Sequence, residues 1–336
     1  SPTGRWLVWR RLLVCGPPTR ATTMQSSLIS TGEETDLVMD DPATRDDLFH
    51  RAVSAIDAGD VTELDRLITA HPRLLRDRLD APGAWLRDKV GNALDNFFQR
   101  PYLLWFVAED PVRIGTLPPN IADVARTIIH AAQRLGVDSL KEQLDYALQL
   151  VSWSWIARQC DVQIALTDVL VDAGASPDGN PDNALVNSNF AAATHLVERG
   201  APLTLSTALC LERWDDATRL ASAATTGQKQ FAFILAALKG KAEALRRIIE
   251  IGIDVNGGSP DLYSHASGLH HAVSSGSLEA VHVLVEAGGD ISARDAVYQG
   301  TPLEWAEYSN GKPQYDAIAA YLRQMQAVRE PPHRPG

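Results

Sequence analysis

Around residue 276 the apolar positions fall into two short helical stretches separated by a glycine. Leu269 and Ala272 precede Gly276, and Leu278, Val281, Leu284 and Val285 follow it. The i, i+3, i+6, i+7 spacing of the second set puts those four side chains on one helix face. Gly288 then supplies a residue that tolerates the left-handed conformation in which helices end. A helix pair of this size cannot bury both its faces, so neighbouring copies must stack on it. One copy is visible without gaps at an offset of 36 residues. Phe233 matches Leu269, Ala236 matches Ala272, Gly240 matches Gly276, Ile248 and Ile249 match Leu284 and Val285, and Asp254 matches Asp290.

Glycine closers at Gly136, Gly174, Gly200, Gly252 and Gly288 are 38, 26, 52 and 36 residues apart. The interval of 52 is twice 26, which predicts a glycine-poor unit between Gly200 and Gly252. About eight units result. Upstream pairs are predicted at 47–52 with 61–68, at 144–156 with 162–171, at 184–187 with 191–197, and at 205–211 with 215–221. The last first-helix lies at 302–306, with a closing helix at 315–322. Between the first and third units, Trp85, Leu86, Val90, Leu94, Phe97 and Phe98 recur at near-helical spacing, which predicts an inserted amphipathic helix, with a long hairpin finger as the alternative. Arg100-Pro101-Tyr102 opens a further turn and first helix. Gly115 to Pro119 then forbids helix before a second helix through Val124, Ile128 and Ile129.

The Gly300-Thr301-Pro302-Leu303 turn, the Ser267–Ala272 turn and the Gly240 and Gly276 linkers resemble ankyrin repeats. The resemblance covers residues 47–325 and is strongest in the last three units. The segment from Arg100 to Val124 also resembles one in bacterial ankyrin-repeat proteins of unassigned function. It implies an all-α solenoid of helix-turn-helix units with finger loops and a concave face, in a family that mostly binds other proteins. His270 stands where the family's histidine bonds the turn backbone, and His50 falls at the matching place; Glu304 replaces that histidine in the last unit.

Charge narrows the choice of partner. The chain of 336 residues carries a net charge of −11, and residues 1–23 contain four arginines and no acid, so the remainder carries −15. An acidic solenoid without a basic stripe repels a phosphate backbone, which disfavours nucleic acid and favours a basic protein partner. No apolar run reaches the length of a membrane span. Cys15, Cys160 and Cys210 are odd in number and far apart, which fits thiols in a reducing, cytoplasmic setting rather than a disulfide framework. Residues 1–46 are expected to be a disordered or non-native extension, the insertion to span about 76–120, and residues 326–336 to form a disordered tail.

The sequence offers little chemistry. Adjacent His270 and His271 point about 100° apart on a helix and cannot share a metal without a further ligand. The run from Asp178 to Asn183 imitates a calcium loop but has Asn183 where glycine and Asn189 where glutamate are needed, so it reads as an inter-repeat loop. Trp153 and Trp155, two apart, predict one core ring and one partly exposed. No cofactor or metal is expected. The candidate binding residues lie in two finger loops, 256–265 and 294–299: Asp261, Tyr263, His265, Arg294, Asp295, Tyr298 and Gln299. Tyrosine and arginine are the side chains that most often anchor interfaces. The expected function is a monomeric, non-catalytic protein-binding module. An inhibitor or immunity-type protein masking a basic partner is the first alternative. A site built from Asp88, Glu109, Asp110, His130 and Asp145 is the second.

Overall fold

The computed structural model describes residues 41–309 and 311–329. The arginine-rich start, most of the acidic lead and the last residues of the tail lie outside them. The described residues are helical, with no strand beyond one isolated bridge between Ser259 and Leu262. They divide after Pro202 into two compact units. The fold class is an all-α, ankyrin-type solenoid.

In the N-terminal unit, α1 (Pro42–Ala58) begins five residues before the predicted start. Asp41 caps it by accepting the Thr44 N–H at 2.9 Å, and Pro42 sits where no N–H is needed. α2 (Val61–Ala70) is capped by Asp60 and buries Leu64, Leu67 and Ile68. His50 lies in the middle of α1, where no turn backbone is within reach; its ring stacks on Trp85 at 4.7 Å. The expected turn-bonding role therefore does not hold for His50.

The predicted insertion helix is replaced by two short pieces. α3 (Ala84–Val90) stops at Gly91, whose φ of 50° and ψ of −128° no helix accommodates. Two 3-10 segments follow, Gly91–Asp95 and Leu103–Ala108. The apolar spacing served a bent path instead of a straight helix. Phe98 meets Phe106 edge-on at 5.3 Å, and Trp105 lies 4.4 Å from Tyr146. Residues 101–111 are buried throughout. Leu103–Ala108 packs against α1, α4 (Ile121–Leu135) and α5 (Leu140–Trp153), so it takes the place of a first helix, as the Pro-aromatic opening predicts.

The remaining elements pair as expected. α5 is cut short by Ser154, which adopts an extended conformation and caps α6 (Trp155–Gln159) through its Oγ. α7 (Gln163–Asp172), α8 (Asn180–Val186) and α9 (Phe190–Glu198) follow. α8 starts inside the stretch read from sequence as a loop, with Pro181 in its first turn. First helices stack on first helices (α5 on α8) and second on second (α2 on α4, α4 on α7, α7 on α9).

The C-terminal unit repeats this arrangement with four pairs: α10 (Leu205–Cys210) with α11 (Trp214–Ala223), α12 (Thr226–Leu238) with α13 (Ala242–Glu250), α14 (Gly268–Ser275) with α15 (Leu278–Glu286), and α16 (Pro302–Tyr308) with α17 (Pro313–Arg329). The hidden glycine-poor unit is α10–α11, which ends where Thr225 opens the capping box of α12. Gly240 is required twice over. Its φ is 63°, and an added Cβ would sit 2.7 Å from that of Ser277 in the next unit. α17 extends three residues past the predicted start of the tail and buries Ile318 and Leu322.

Candidate functional site

The two finger loops that the sequence singles out lie in the C-terminal unit, between α13 and α14 and between α15 and α16. The first is tied to the repeat beneath it by Gln230, whose amide donates to the carbonyls of Asp254 and Gly257 at 2.9 and 2.7 Å. Asn256 bridges to the next repeat by accepting the Asp290 N–H at 2.8 Å. The fingers are joined by the Ala296 N–H, which donates to the His265 carbonyl at 2.7 Å.

Asp295 organises the second finger. Its side chain is wholly buried, and its carboxylate accepts the N–H groups of Val297, Tyr298 and Gly300 at 2.6–2.9 Å and the Trp305 indole N–H at 3.0 Å. Burial alone would raise the Asp295 carboxyl, but these donors outweigh it and hold it below the usual carboxylate range. The expectation that Asp295 contacts a partner is corrected: a residue with no exposed surface can only shape the loop. His265 is likewise inside, 8% exposed and stacked on Trp305 at 6.2 Å. Asp295→Ala leaves three backbone N–H groups and an indole without their acceptor, although water can reach an opened loop. It is expected to lower unfolding free energy by about 2 kcal/mol in chemical denaturation. An unchanged midpoint would contradict this role.

The other candidates remain on the surface. Tyr298 is 55% and Val297 51% exposed. Arg294 donates to the Gln299 carbonyl and reaches Glu304 at 3.3 Å, Gln299 is exposed with φ 56°, Asp261 is exposed, and Tyr263 is half-buried with φ 46°. The fingers therefore bring Arg294, Val297, Tyr298 and Gln299 together at one tip. Val297 was missed because a lone valine in a polar loop has no pattern to mark it.

Beneath the fingers, His270 and His271 have separate roles. His270 Nε2 lies 3.0 Å from the Gly300 carbonyl, and its Nδ1 lies 2.8 Å from Ser267 Oγ, which locks the turn as the position predicts. In the last unit, Glu304 fills the capping-box place by accepting the Thr301 N–H at 2.7 Å. His271 is fully buried beside Tyr263, His265 and Trp305; burial first, then the neighbouring histidines, push it down to about 3. Among the described residues no three His, Cys, Asp or Glu side chains are placed to hold a metal ion.

The alternative set of acids does not assemble. Glu109 and Asp110 are buried in the loop after Leu103–Ala108, and Asp88 is exposed on α3. His130 lines a shallow groove with Asp65, Thr127 and Arg134, while Asp145 lines a different one beside Lys141. Trp155 is 44% exposed and Trp153 half-buried, so neither ring of that pair is the core residue expected. Cys160 and Cys210 are free thiols. No described helix is long and apolar enough to cross a membrane.

Among solved structures the chain is similar to the human ASB11 ankyrin repeat domain, at 16% identity over 63% of this chain and 96% of that one, with a TM-score of 0.32. It is also similar to the ankyrin repeat domain of Bcl-3, described as a unique member of the IkappaB protein family. There the identity is 19%, the coverage 66% and 97%, and the TM-score 0.30. No curated protein sequence matches. A family model for ankyrin repeats matches in three copies over residues 190–295. That match runs from the first residue of α9 to the carboxylate that holds the second finger, and over it the chain is an ankyrin-repeat protein.

Proposed function

We propose that the chain is a non-catalytic module that binds a protein partner through its finger loops and the inner helices beside them. The observation that carries this reading is the tip at 294–299. Asp295 fixes its backbone from inside, so Tyr298, Val297, Arg294 and Gln299 are offered to solvent in one geometry. A preordered loop loses little freedom on association, and an exposed tyrosine beside an arginine is the composition of an interface anchor. The net charge of −11 favours a basic partner and predicts salt-sensitive association.

Affinity capture from the native lysate, at low and high salt, tests this. The expected result is one dominant protein, weakened at high salt and bound at least about tenfold more weakly by Tyr298→Ala. That variant keeps the Asp295 hydrogen bonds, because only the backbone of Tyr298 takes part in them. Equal capture by the variant would remove the fingers from the interface. No capture under either condition would contradict the binding-module reading.

A further inference from the structure

We propose that Asn256 and Gly257 form a self-modification site in the first finger. The closed joint to the next repeat keeps the asparagine amide intact, opening the joint lets it deamidate, and the product does not close again. The inference goes beyond the binding-module reading and does not depend on it.

An Asn-Gly pair exposes an asparagine amide to attack by its own main chain, because glycine has no Cβ to shield its nitrogen. Hydroxide removes the Gly257 amide proton, and the nitrogen attacks the side-chain carbonyl carbon of Asn256. The new C–N bond closes a cyclic imide, and the side-chain nitrogen takes a proton from water and leaves as ammonia. Water then opens the imide at either carbonyl to give aspartate or isoaspartate, so a water is consumed for the ammonia released.

The turn that carries this pair does not require it. The Gly257 N–H donates to the Asp254 carbonyl at 3.2 Å, and the Asn256 N–H donates to Asp254 Oδ1 at 3.0 Å. In the next repeat the same two bonds recur on Asp290 at 3.3 and 2.9 Å, with Ser292 and Ala293 in place of the pair. Gly257 is not left-handed, and an added Cβ would meet the Asp254 side chain, at 2.9 Å from Oδ2. The chemistry at this position is therefore an addition to the turn and not a condition of it.

The closed joint blocks the attack. Asn256 is exposed, so hydroxide has access, but the Gly257 N–H is tied into the turn, and Gln230 holds the Gly257 carbonyl at 2.7 Å. The Asn256 amide is drawn to the next repeat at both ends. Its Oδ1 accepts the Asp290 N–H at 2.8 Å, and its Nδ2 donates to the Gly288 carbonyl at 3.3 Å. Attack must break the turn bond and both side-chain bonds, which slows it at least about tenfold relative to the open chain. Conversion then removes the joint. Aspartate has no Nδ2 to donate and sets an anionic oxygen against the Gly288 carbonyl. Isoaspartate routes the main chain through the former side chain, so the lengthened turn no longer offers the Asp254 and Gly257 carbonyls together to Gln230.

Peptide mass spectrometry of the full chain, aged in mildly alkaline buffer with and without guanidinium chloride, tests the proposal. Digestion in heavy-oxygen water marks any conversion that occurs during the digest. The sequence has one other Asn-Gly pair, Asn310-Gly311, whose asparagine lies outside the described residues; it serves as the reference within each sample. In denaturant, Asn256 should convert to a mixture of aspartate and isoaspartate, and Gly257→Ala should nearly abolish this. The folded parent should convert Asn256 at least about tenfold more slowly. Gln230→Ala, its fold checked by circular dichroism, should recover most of that factor and leave Asn310 unchanged. Parent aged in denaturant and returned to buffer should exchange amide hydrogens over 254–265 faster than Gly257→Ala treated alike. Equal rates at Asn256 in the folded and denatured parent overturn the proposal without any variant having to fold. An unchanged rate in a folded Gln230→Ala chain, or converted chains whose finger exchanges as slowly as before, overturns it as well.

Discussion

Arg113→Met is expected to destabilise the N-terminal unit by about 3–5 kcal/mol, the loss typical when one member of a buried ion cluster is removed. Arg113 lies in the loop before α4 with its side chain only 3% exposed. Its guanidinium donates to both Asp57 oxygens on α1 at 3.0 and 2.8 Å and to the Phe106 carbonyl at 3.1 Å, and it lies over the Phe106 ring at 5.1 Å. Glu109 Oε2 sits 2.9 Å from it, a charge contact without hydrogen-bond alignment. The other oxygen of Glu109 accepts the N–H groups of Arg113, Ile114 and Gly115 and so holds the loop closed.

Removing the guanidinium leaves the Glu109 carboxylate in a site with no solvent access, where an unpaired charge is expensive. Arg113→Lys should recover only part of the loss, because an ammonium cannot reproduce the two-pronged contact with Asp57. Urea unfolding followed by tryptophan fluorescence measures this, with Trp85, Trp105, Trp153 and Trp155 reporting on the N-terminal unit. A loss below about 1 kcal/mol would mean that the aromatic core around Phe106 holds the insertion without the ion cluster.

How legible each feature was depends on the range of the interaction that makes it. The repeats at 229–290 were readable because their cause is local: a glycine that must be left-handed, a stripe of four apolar positions, a capping residue. Both the 36-residue offset and the turn role of His270 follow from such short-range features. The insertion was not readable in that way. Arg113 and Asp57 are 56 residues apart, and no spacing within residues 76–120 announces that Phe98, Phe106 and Trp105 converge while Gly91 breaks the helix. His50 was misplaced because it was matched by position to His270, yet α1 is long enough to put it mid-helix. Asp295 was misread because an aspartate in a loop ordinarily faces water. Only the four donors that close around it reveal its burial.

The histidines beneath the fingers should make the C-terminal unit sensitive to mild acid. His271 has a folded-state value of about 3 against an ordinary 6.5. Its neutral form is favoured by burial first and then by His265 and His270, while the Tyr263 and Ala266 carbonyls pull weakly the other way. His265 and His270 are shifted down as well, also by burial first, against the pull of Asp295. A histidine depressed in the folded state contributes its full stability above pH 6.5. Below that the unfolded chain binds a proton that the folded chain refuses, so stability falls as pH falls, until the folded ring protonates near pH 3. One such proton is worth about 1.4 kcal/mol per pH unit well below 6.5, so lowering the pH from 6.5, where the unfolded ring is half protonated, to about 4.5 should cost roughly 2 kcal/mol from His271 alone. His265 and His270 steepen that loss. Asp295, held below its usual range, responds only at lower pH. Urea unfolding at several pH values, followed through Trp214 and Trp305, should show the slope in the parent chain and a shallower one in His271→Leu, whatever that variant's stability at neutral pH. An undiminished slope in the variant would show that the acid sensitivity arises elsewhere than at the buried ring.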